Sequence, residues 1–496
     1  MNNGVGREHQ ECIVGIDIGS SNVVMAVGYK QDNGLLDVVG VEIQSVGDSV
    51  KDGAIENVIE LGNAIAKAKS ELERELNISL REACVGISGN SVYGARYEDF
   101  VYINSNNKLI TADDVRDLTE RIRKISTNNE DEIIERVLQR YVVDDRQEVK
   151  SPVGAFGSKL SAEYLLVLCN KRQLERVKQA LYTADIKFSA LCVNPMVQPM
   201  ALLSDEEKEE GVAIIDIGCD LTDISVVRQG KVCYFASLPI GASTINSDLS
   251  QFISASKQTI EKLKKRYGEA IAENISLDAT CSVELLGRSR KQILQRNIGE
   301  IIEERLKDIA RFALKSLKTA KLSSKIPCGV ILTGGSAYLS NIEELFAREM
   351  NMGVRLASSL YGVTDNSKEM LLTYTQSTVL GVMLHGMQHN SFVAHPTQRA
   401  TPQPMINRSR EEAPVQMPIP QSLAEAPQRV VPQQTAPQPE PAKVEPTPKA
   451  EEEQKHEEQR VESPKKSKNP KRGVFDTLNN FLDRLISGDR DNDYLE

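Results

Sequence analysis

The chain of 496 residues has no tryptophan, and aromatic residues make up only 5% of it. Its eight cysteines are widely spaced, and none of them belongs to a Cys-x-x-Cys pair. This spacing argues against a disulfide framework and a cysteine metal site, and it predicts buried thiols in a reducing compartment. The sequence also lacks Gly-x-x-x-x-Gly-Lys-[Ser/Thr], which excludes a Walker-type nucleotide site.

Long apolar runs and a basic charge excess are missing as well. No run approaches the roughly 18 apolar residues of a membrane-spanning helix, and residues 1–10 lack the apolar region of a signal peptide. We therefore expect a protein that is neither exported nor membrane-spanning. The net charge is -10, so nucleic acid is not expected as a partner.

Proline is scarce in the first 390 residues and concentrated after them. Of the 20 prolines, 15 lie in residues 391–470, where Phe392 is the one aromatic residue. Such a composition cannot bury enough apolar surface to fold, so a disordered linker is predicted there. As a flexible coil it would span about 50 Å.

An apolar segment that ends in Asp-Ile-Gly occurs twice in the chain. Residues 13–19 form the first copy and residues 212–218 the second, so that Asp216 stands 199 positions after Asp17. In both halves a polar turn, a second apolar run, another turn and a third apolar run follow. The pattern predicts two meanders of antiparallel strands in two halves related by duplication.

These two hairpins suit a phosphate site. A tight turn of small residues presents successive backbone N–H groups to an anion. The carboxylates of Asp17 and Asp216 would not face phosphate themselves, so they would hold Mg²⁺, directly or through water. Two facing hairpins would then clamp a polyphosphate from both sides. The alternative is a pair of ordinary β-turns with solvated aspartates.

A third segment, residues 330–336, is an apolar strand pattern that ends in Thr-Gly-Gly-Ser. Paired glycines allow a planar group to approach the backbone closely. The following residues predict a helix from Leu339 to Arg348, whose N-terminus would lie at the site. Taken alone, the motif also fits a simple strand-to-helix turn.

In this order, the three segments resemble the actin/Hsp70/sugar-kinase ATPase superfamily and, within it, the FtsA family of bacterial cell division proteins. The resemblance implies an α/β actin-like ATPase fold of two duplicated lobes with an FtsA-type IC subdomain, a disordered linker and a C-terminal amphipathic helix. It also implies ATP and Mg²⁺ as ligands, with Asp17 and Asp216 holding the metal through water. The implied ATP-binding residues are Asp17, Gly19, Ser20, Ser21, Asp216, Gly218, Thr222, Glu261, Lys264, Gly334, Gly335 and Ser336. The alternative for Glu261 and Lys264 is a solvated ion pair on one helical face.

Residues 137–144 and 150–160 are similar to the signature of the FtsA subdomain IC, which takes part in contacts between protomers in that family. The implied subdomains are IA (1–88 and 171–205), IC (89–170), IIA (206–240 and 325–390) and IIB (241–324), followed by the linker (391–470) and the helix with its tail (471–496).

The second Asp-Ile-Gly turn departs from the family pattern. Cys219 and Asp220 stand where many relatives have glycines, and Asp220 adds a carboxylate near the expected phosphates. An extra negative charge weakens the attraction for a triphosphate unless Mg²⁺ offsets it. No catalytic base can be named, so the sequence predicts a binding and switching site with at most slow ATPase activity.

Beyond the linker, apolar residues recur three and four positions apart, which predicts an amphipathic helix. They are Val474, Phe475, Leu478, Phe481, Leu482, Leu485 and Ile486. Five basic residues lie just upstream, within 465–472. An apolar stripe beside a basic cluster is typical of a peripheral membrane anchor. The alternative is docking on the protein's own body or on a partner helix, which the aspartates between 476 and 493 favour.

The resemblance as a whole implies a cell division protein. It would bind ATP, polymerise as an actin-like filament, tether the FtsZ ring to the inner face of the cytoplasmic membrane at the septum, and recruit later division proteins. The FtsZ C-terminal peptide is expected on a basic surface near a helix over 293–317. Its arginines are Arg288, Arg290, Arg296 and Arg305, whose alternative role is ordinary solvation.

Two rival functions belong to related folds. One is a sugar or acetate kinase of the same superfamily, and the other is a pilus-assembly platform similar to PilM. An apolar helix after a long tether argues against both.

Overall fold

The computed structural model describes residues 12–104, 107–127, 130–287, 289–371, 374–389 and 391. Arg288, nearly all of the predicted linker and the predicted helix over 474–486 lie outside the described residues. No helix within the described ranges is long and apolar enough to cross a membrane.

The strands belong to three larger sheets and two short hairpins. They are β1 (Cys12–Ile18), β2 (Asn22–Lys30), β3 (Leu36–Ser45), β4 (Val50–Lys51), β5 (Ala54–Ile55), β6 (Glu82–Ile87), β7 (Val92–Tyr102), β8 (Asp131–Val143), β9 (Gln147–Val149), β10 (Lys159–Asn170), β11 (Lys187–Val193), β12 (Val212–Ile217), β13 (Thr222–Arg228), β14 (Lys231–Leu238), β15 (Thr280–Glu284), β16 (Arg290–Leu294), β17 (Val330–Thr333) and β18 (Val354–Leu356).

The helices lie between these strands and after the last of them. They are α1 (Val58–Leu76), α2 (Ala112–Arg123), α3 (Lys171–Thr183), α4 (Asn194–Leu202), α5 (Asp205–Glu210), α6 (Ala242–Phe252), α7 (Lys257–Tyr267), α8 (Gln295–Thr319), α9 (Ile342–Met350), α10 (Asp365–Met370) and α11 (Ser377–Gln388). Single 3₁₀ turns occur at Ala272–Asn274 and Tyr374–Gln376.

Two five-stranded sheets with the same topology form the two lobes. The first has the order β11-β6-β1-β2-β3, and the second has the matching order β18-β17-β12-β13-β14. In each, the three meander strands pair antiparallel, and the other two strands are parallel to the first meander strand. The predicted meanders and the predicted duplication are confirmed.

The duplication extends to the irregularities of the sheets. A register shift interrupts the β2–β3 ladder between Val27 and Gly28, and another interrupts the β13–β14 ladder between Val226 and Val227. These positions are also 199 residues apart. Because a bulge bends its strand and increases the local twist, both meanders curve at the same point.

An insertion distinguishes the first lobe. Between β6 and β11, the chain forms a separate four-stranded sheet, in the order β7-β10-β8-β9, with α2 against it. In the second lobe, the corresponding connection from β17 to β18 contains only α9. The insert has its own apolar core, with Leu118 of α2 and Leu166 of β10 fully buried.

Local sequence explains most helix boundaries, as α1 illustrates. Asn57 accepts backbone hydrogen bonds from Ile59 and Glu60 at its start, and Asn77 ends it in the left-handed conformation. Between them, buried residues recur three and four apart, so that one face packs on the lobe.

One predicted helix begins later than expected. The helix after Gly334 starts at Ile342 rather than Leu339. Ser340 forms a β-bridge with Glu269, and Leu339 N–H closes a turn onto the Ser336 carbonyl. Since the bridge requires extended backbone, the helix cannot begin before it.

Candidate functional site

The two Asp-Ile-Gly turns close in the same way. Gly19 N–H donates to the Asn22 carbonyl at 3.1 Å, and Gly218 N–H donates to the Leu221 carbonyl at 2.9 Å. Ser20 is half-buried and Ser21 is exposed at the tip of the first turn. Among the described residues, the backbone N–H groups of these two serines have no acceptor, so they are available to an anion.

Asp17 and Asp216 lie at the ends of β1 and β12, half-buried between the lobes. Burial raises the pKa of Asp17 to about 7, repulsion from Asp216 adds to the rise, and a hydrogen bond from Asn194 opposes it. Burial also raises the pKa of Asp216, against hydrogen bonds from Gln198 and Thr378. The two carboxyl groups are therefore close enough to repel each other.

A single helix, α4, holds both carboxylates. Asn194 Nδ2 donates to Asp17 Oδ1 at 2.8 Å, and Gln198 Nε2 donates to Asp216 Oδ2. The two amides are four residues apart, which places them on one face of the helix. Neither amide was among the predicted site residues.

Gly334 packs directly against the second carboxylate. Its φ is +90°, a Cβ at this position would collide with Asp216 Oδ1, and it would lie 2.7 Å from the Ile217 nitrogen. Gly335 faces open space, since no atom lies within 4 Å of its Cβ position. Ser336 is buried, and its N–H donates to the Ile217 carbonyl. The segment after β17 therefore packs against β12 at Gly334 and Ser336, and it leaves open space beside Gly335.

Glu261 and Lys264 form an ion pair next to the second turn. Lys264 Nζ lies 2.7 Å from Glu261 Oε2, and Asn246 Nδ2 donates to the same oxygen at 2.8 Å. Lys264 is only 4% exposed, whereas the Glu261 side chain is 36% exposed, so the pair is buried on the lysine side and reaches solvent on the glutamate side. Both groups also affect the pKa of Cys219, which burial raises to about 12. The structure thus places this pair beside the second Asp-Ile-Gly turn, and the ATP-binding role that the family resemblance implies for it stays a prediction.

Thr222 and Asp223 follow the second turn, and their side chains are engaged inside the protein. Thr222 is fully buried and donates to the Ile240 carbonyl at 2.7 Å, which supports the hairpin. Asp223 accepts from Ser237 at 2.5 Å and from Ser88 of the first lobe at 2.6 Å. Burial raises the pKa of Asp223 to about 7. This link between the lobes was not predicted, because Val24 occupies the equivalent position in the first half.

Asp220 makes a second link between the lobes. Its Oδ2 accepts from the backbone N–H of Asp52 at 3.2 Å, in the turn between β4 and β5. Burial raises the pKa of Asp52, and repulsion from Asp220 contributes. The carboxylate of Asp220, which is additional to the family pattern, therefore forms a hydrogen bond with the first lobe.

The residues at the cleft fit a nucleotide with a divalent cation. Carboxylate oxygens are the ligands that Mg²⁺ prefers, and a bound cation would relieve the repulsion between Asp17 and Asp216. Over the described ranges, no three His, Cys, Asp or Glu residues are placed to hold a metal by themselves. Mg²⁺ usually keeps several waters and binds through one or two carboxylates plus substrate phosphates, so this arrangement suits it.

The predicted partner surface is only partly available. Arg290 is exposed on β16, whereas Arg296 lies 3.4 Å from Glu300 on α8. The Arg305 side chain is 13% exposed and contacts Asp248 and Asp308 at 2.6 and 3.3 Å. Arg305 therefore joins α8 to α6, and Arg290 is the accessible arginine among the described three.

Two family models match the chain. "Cell division protein FtsA" matches residues 213–378, and "SHS2 domain inserted in FTSA" matches residues 89–168, the region of the inserted sheet. The chain is 32% identical to the cell division protein FtsA of Bacillus subtilis (strain 168) over 360 residues, which cover 72% of this chain and 81% of that relative. It is 26% identical to the FtsA of Pseudomonas aeruginosa over 382 residues, covering 76% and 90%.

A solved structure shares the architecture. The "PilM-PilN type IV pilus biogenesis complex" aligns with a TM-score of 0.52 at 15% identity, covering 76% of this chain and 98% of that chain. At such identity the likeness shows the fold alone. Together with the repeated sheets and the inserted domain, it confirms the predicted α/β actin-like fold of two lobes.

Proposed function

The chain belongs to the FtsA family of cell division proteins, and we propose that it binds ATP with Mg²⁺ between its lobes, polymerises as an actin-like filament and tethers the FtsZ ring to the inner face of the cytoplasmic membrane. It would act at the septum and recruit later division proteins there. Family membership sets aside the kinase and pilus-platform interpretations, since the likeness to PilM concerns the fold.

The observation that best supports nucleotide binding is the paired arrangement of Asp17 and Asp216 on the amides of α4. The free N–H groups of Ser20 and Ser21 would receive phosphate oxygens, and Gly335 leaves room for a planar base. When bound, Mg²⁺–ATP would supply a divalent charge that Asp17 and Asp216 would hold through water, together with phosphate oxygens as hydrogen-bond acceptors. The partly buried ion pair of Glu261 and Lys264 would fix the second wall of the site.

Nucleotide binding can be tested with a fluorescent ATP analogue. We expect Mg²⁺-dependent binding by the full chain and at least about tenfold weaker binding by Asp17→Asn, because a bound cation would lose a charged partner. The matched control is Asp145→Asn, an exposed aspartate of the insert. Equal affinity of both variants, with or without Mg²⁺, would remove the proposed site.

The adaptor role can be tested by pull-down with the FtsZ C-terminal peptide, with and without ATP. Arg290→Glu should weaken capture, because an exposed basic side chain would be replaced by one that repels an acidic peptide. Arg172→Glu, at an exposed position of α3, is the charge-matched control. Absence of capture by the wild type in both conditions would rule out the adaptor role.

The membrane anchor rests on residues outside the described ranges. Deletion of 471–496 should abolish sedimentation with anionic liposomes, because it removes the apolar stripe of the predicted helix. Unchanged sedimentation of the truncated chain would mean that the anchor lies elsewhere.

A further inference from the structure

A cavity of about 290 Å³ lies where the insert meets the second lobe, away from the cleft between the lobes. The insert contributes residues of β7, β8, β9 and β10, and the second lobe contributes the end of β13, the start of β14 and the loop before β17. Its charged lining consists of Arg96, Arg140, Glu148, Glu163, Arg228, Lys231 and Lys325. The family comparison assigns nothing to this cavity.

The two walls of the cavity are joined by hydrogen bonds between β8 and β14. Gln139 Nε2 donates to the Val232 carbonyl at 3.1 Å, and Lys231 Nζ donates to the Gln139 carbonyl at 3.1 Å. The cavity is therefore a property of the folded junction rather than an accidental gap between two loosely placed surfaces.

Positive charge in the cavity exceeds negative charge. Arg140 is neutralised, since it pairs with Glu163 and lies 3.4 Å from Glu148. In the part of the chain that the structure describes, Arg96, Arg228 and Lys325 form no salt bridge, although Arg96 helps Arg140 to lower the pKa of Glu163. Five cations against two carboxylates, Glu148 and Glu163, leave the cavity a net attraction for an anion.

Arg96, Arg228 and Lys325 line the same cavity as Cys233. Burial raises the pKa of the Cys233 thiol, and the positive charges of Arg228, Arg96 and Lys325 oppose that rise. Arg228 is half-buried, and its Nε is a buried donor that has no hydrogen-bond partner among the described residues. A buried charged donor that lacks an acceptor is costly, so this guanidinium suits a ligand that supplies one.

We propose that this pocket binds a compact, multiply charged anion of the phosphate class, free in solution, through Arg96, Arg228 and Lys325. Guanidinium groups match tetrahedral oxyanions because they donate two parallel hydrogen bonds. The volume corresponds to about ten waters of roughly 30 Å³ each, which accommodates a phosphate or pyrophosphate but not a folded peptide element.

Because the pocket lies between the insert and the second lobe, a bound ligand would connect these two parts of the protein. Arg96 belongs to the insert, whereas Arg228 and Lys325 belong to the second lobe. An anion held by all three joins the two parts, and ligand binding to the folded state alone raises its stability. The occupied pocket therefore fixes the insert against the second lobe.

The test is titration calorimetry of the full chain with inorganic pyrophosphate. The double variant Arg96→Gln/Arg228→Gln should bind at least about tenfold more weakly, because each arginine contributes a charged hydrogen bond. The control Arg123→Gln/Arg172→Gln removes the same charge at exposed positions outside the pocket and should stay within about twofold. Both pairs leave the cleft between the lobes unchanged, so a difference between them reports the pocket.

A third variant changes affinity in the opposite direction. Glu163→Gln removes the carboxylate that neutralises Arg140, so it should tighten pyrophosphate binding by about threefold or more. The melting temperature of each variant without ligand shows whether it is folded, and Lys325→Gln replaces the double variant if that one is not. Equal affinity of wild type and pocket variants, or an equal loss in the control pair, would overturn the proposal.

Discussion

Replacing Gln198 by methionine is expected to destabilise the protein, and more so at high pH. Gln198 is 2% exposed, and its amide donates to Asp216 as well as to Ser377 and Thr378 at 3.1 Å. Methionine has a similar length and should pack with little strain, so the lost hydrogen bonds dominate. A buried bond to a charged group contributes about 1.5–3 kcal/mol, and we expect a loss of about 2 kcal/mol at about pH 8.

The pH dependence follows from the carboxyl group that loses its donor. Burial raises the pKa of Asp216, and Gln198 opposes that rise, so the variant should have a still higher pKa at Asp216. A carboxyl group whose pKa is raised by folding stabilises the protein fully below its unfolded pKa of about 3.9. This stabilisation is lost as the pH rises through the pKa of the folded state. The variant continues to lose stability after the wild type has levelled off. The penalty is therefore smaller at about pH 5 than at about pH 8.

The assay is urea unfolding followed by circular dichroism at both pH values. Gln139→Met is the matched control, because the Gln139 amide donates to the uncharged carbonyls of Val137 and Val232 at 3.2 and 3.1 Å. Its penalty should be about 1 kcal/mol and independent of pH. A Gln198→Met penalty that is the same at both pH values would refute the assigned role of Asp216.

Two further predictions concern the same cleft. Gly334→Ala should lower the free energy of unfolding by about 1–3 kcal/mol and abolish nucleotide binding, because its φ is positive and a Cβ would collide with Asp216. Gly335→Ala should fold normally and weaken only nucleotide binding. Chemical unfolding and ATP titration would measure the two effects. The pKa values of Asp17 and Asp223 are each raised to about 7. The free energy of unfolding should therefore fall between about pH 4 and about pH 7 and then level off, and Asp223→Asn should flatten that slope. An unchanged slope in this variant would contradict the raised pKa of Asp223.

Repetition in the sequence carried most of the fold prediction. The recurrence of Asp-Ile-Gly after 199 residues led to both meanders, and alternating apolar runs with turns located their strands. The position of the insert followed from similarity rather than from periodicity, because its strands by themselves would fit many small sheets. The later start of α9 was not predictable locally, since it depends on the bridge between Ser340 and the distant Glu269.

The residues of the site that escaped prediction are those whose role depends on tertiary contacts. Asn194 and Gln198 lie in a short, mostly buried helix without a polar face, so nothing local marks their amides as partners of two carboxylates. Asp223 stands in β13 together with Thr222, Ser225 and Arg228, and an acidic residue in such a mixed strand indicates an edge or solvent-facing position. Its partner Ser88 is 135 residues away in the chain.

Several contacts that join the lobes at the cleft are hydrogen bonds to carboxyl groups, and these respond to pH and to bound cations. Gln198 donates a hydrogen bond to Asp216 of the second lobe, and Ser88 of the first lobe donates to Asp223. The backbone N–H of Asp52 donates to Asp220. Apolar contacts are nearly insensitive to protons and ions, whereas the strength of these hydrogen bonds depends on the charge of each carboxyl group. Because burial already favours the protonated forms of Asp216 and Asp223, a cation that enters the cleft would shift both toward the ionised form and change their contacts with Gln198 and Ser88 together. The relation between the lobes should therefore depend on cation and pH far more than the interior of either lobe does.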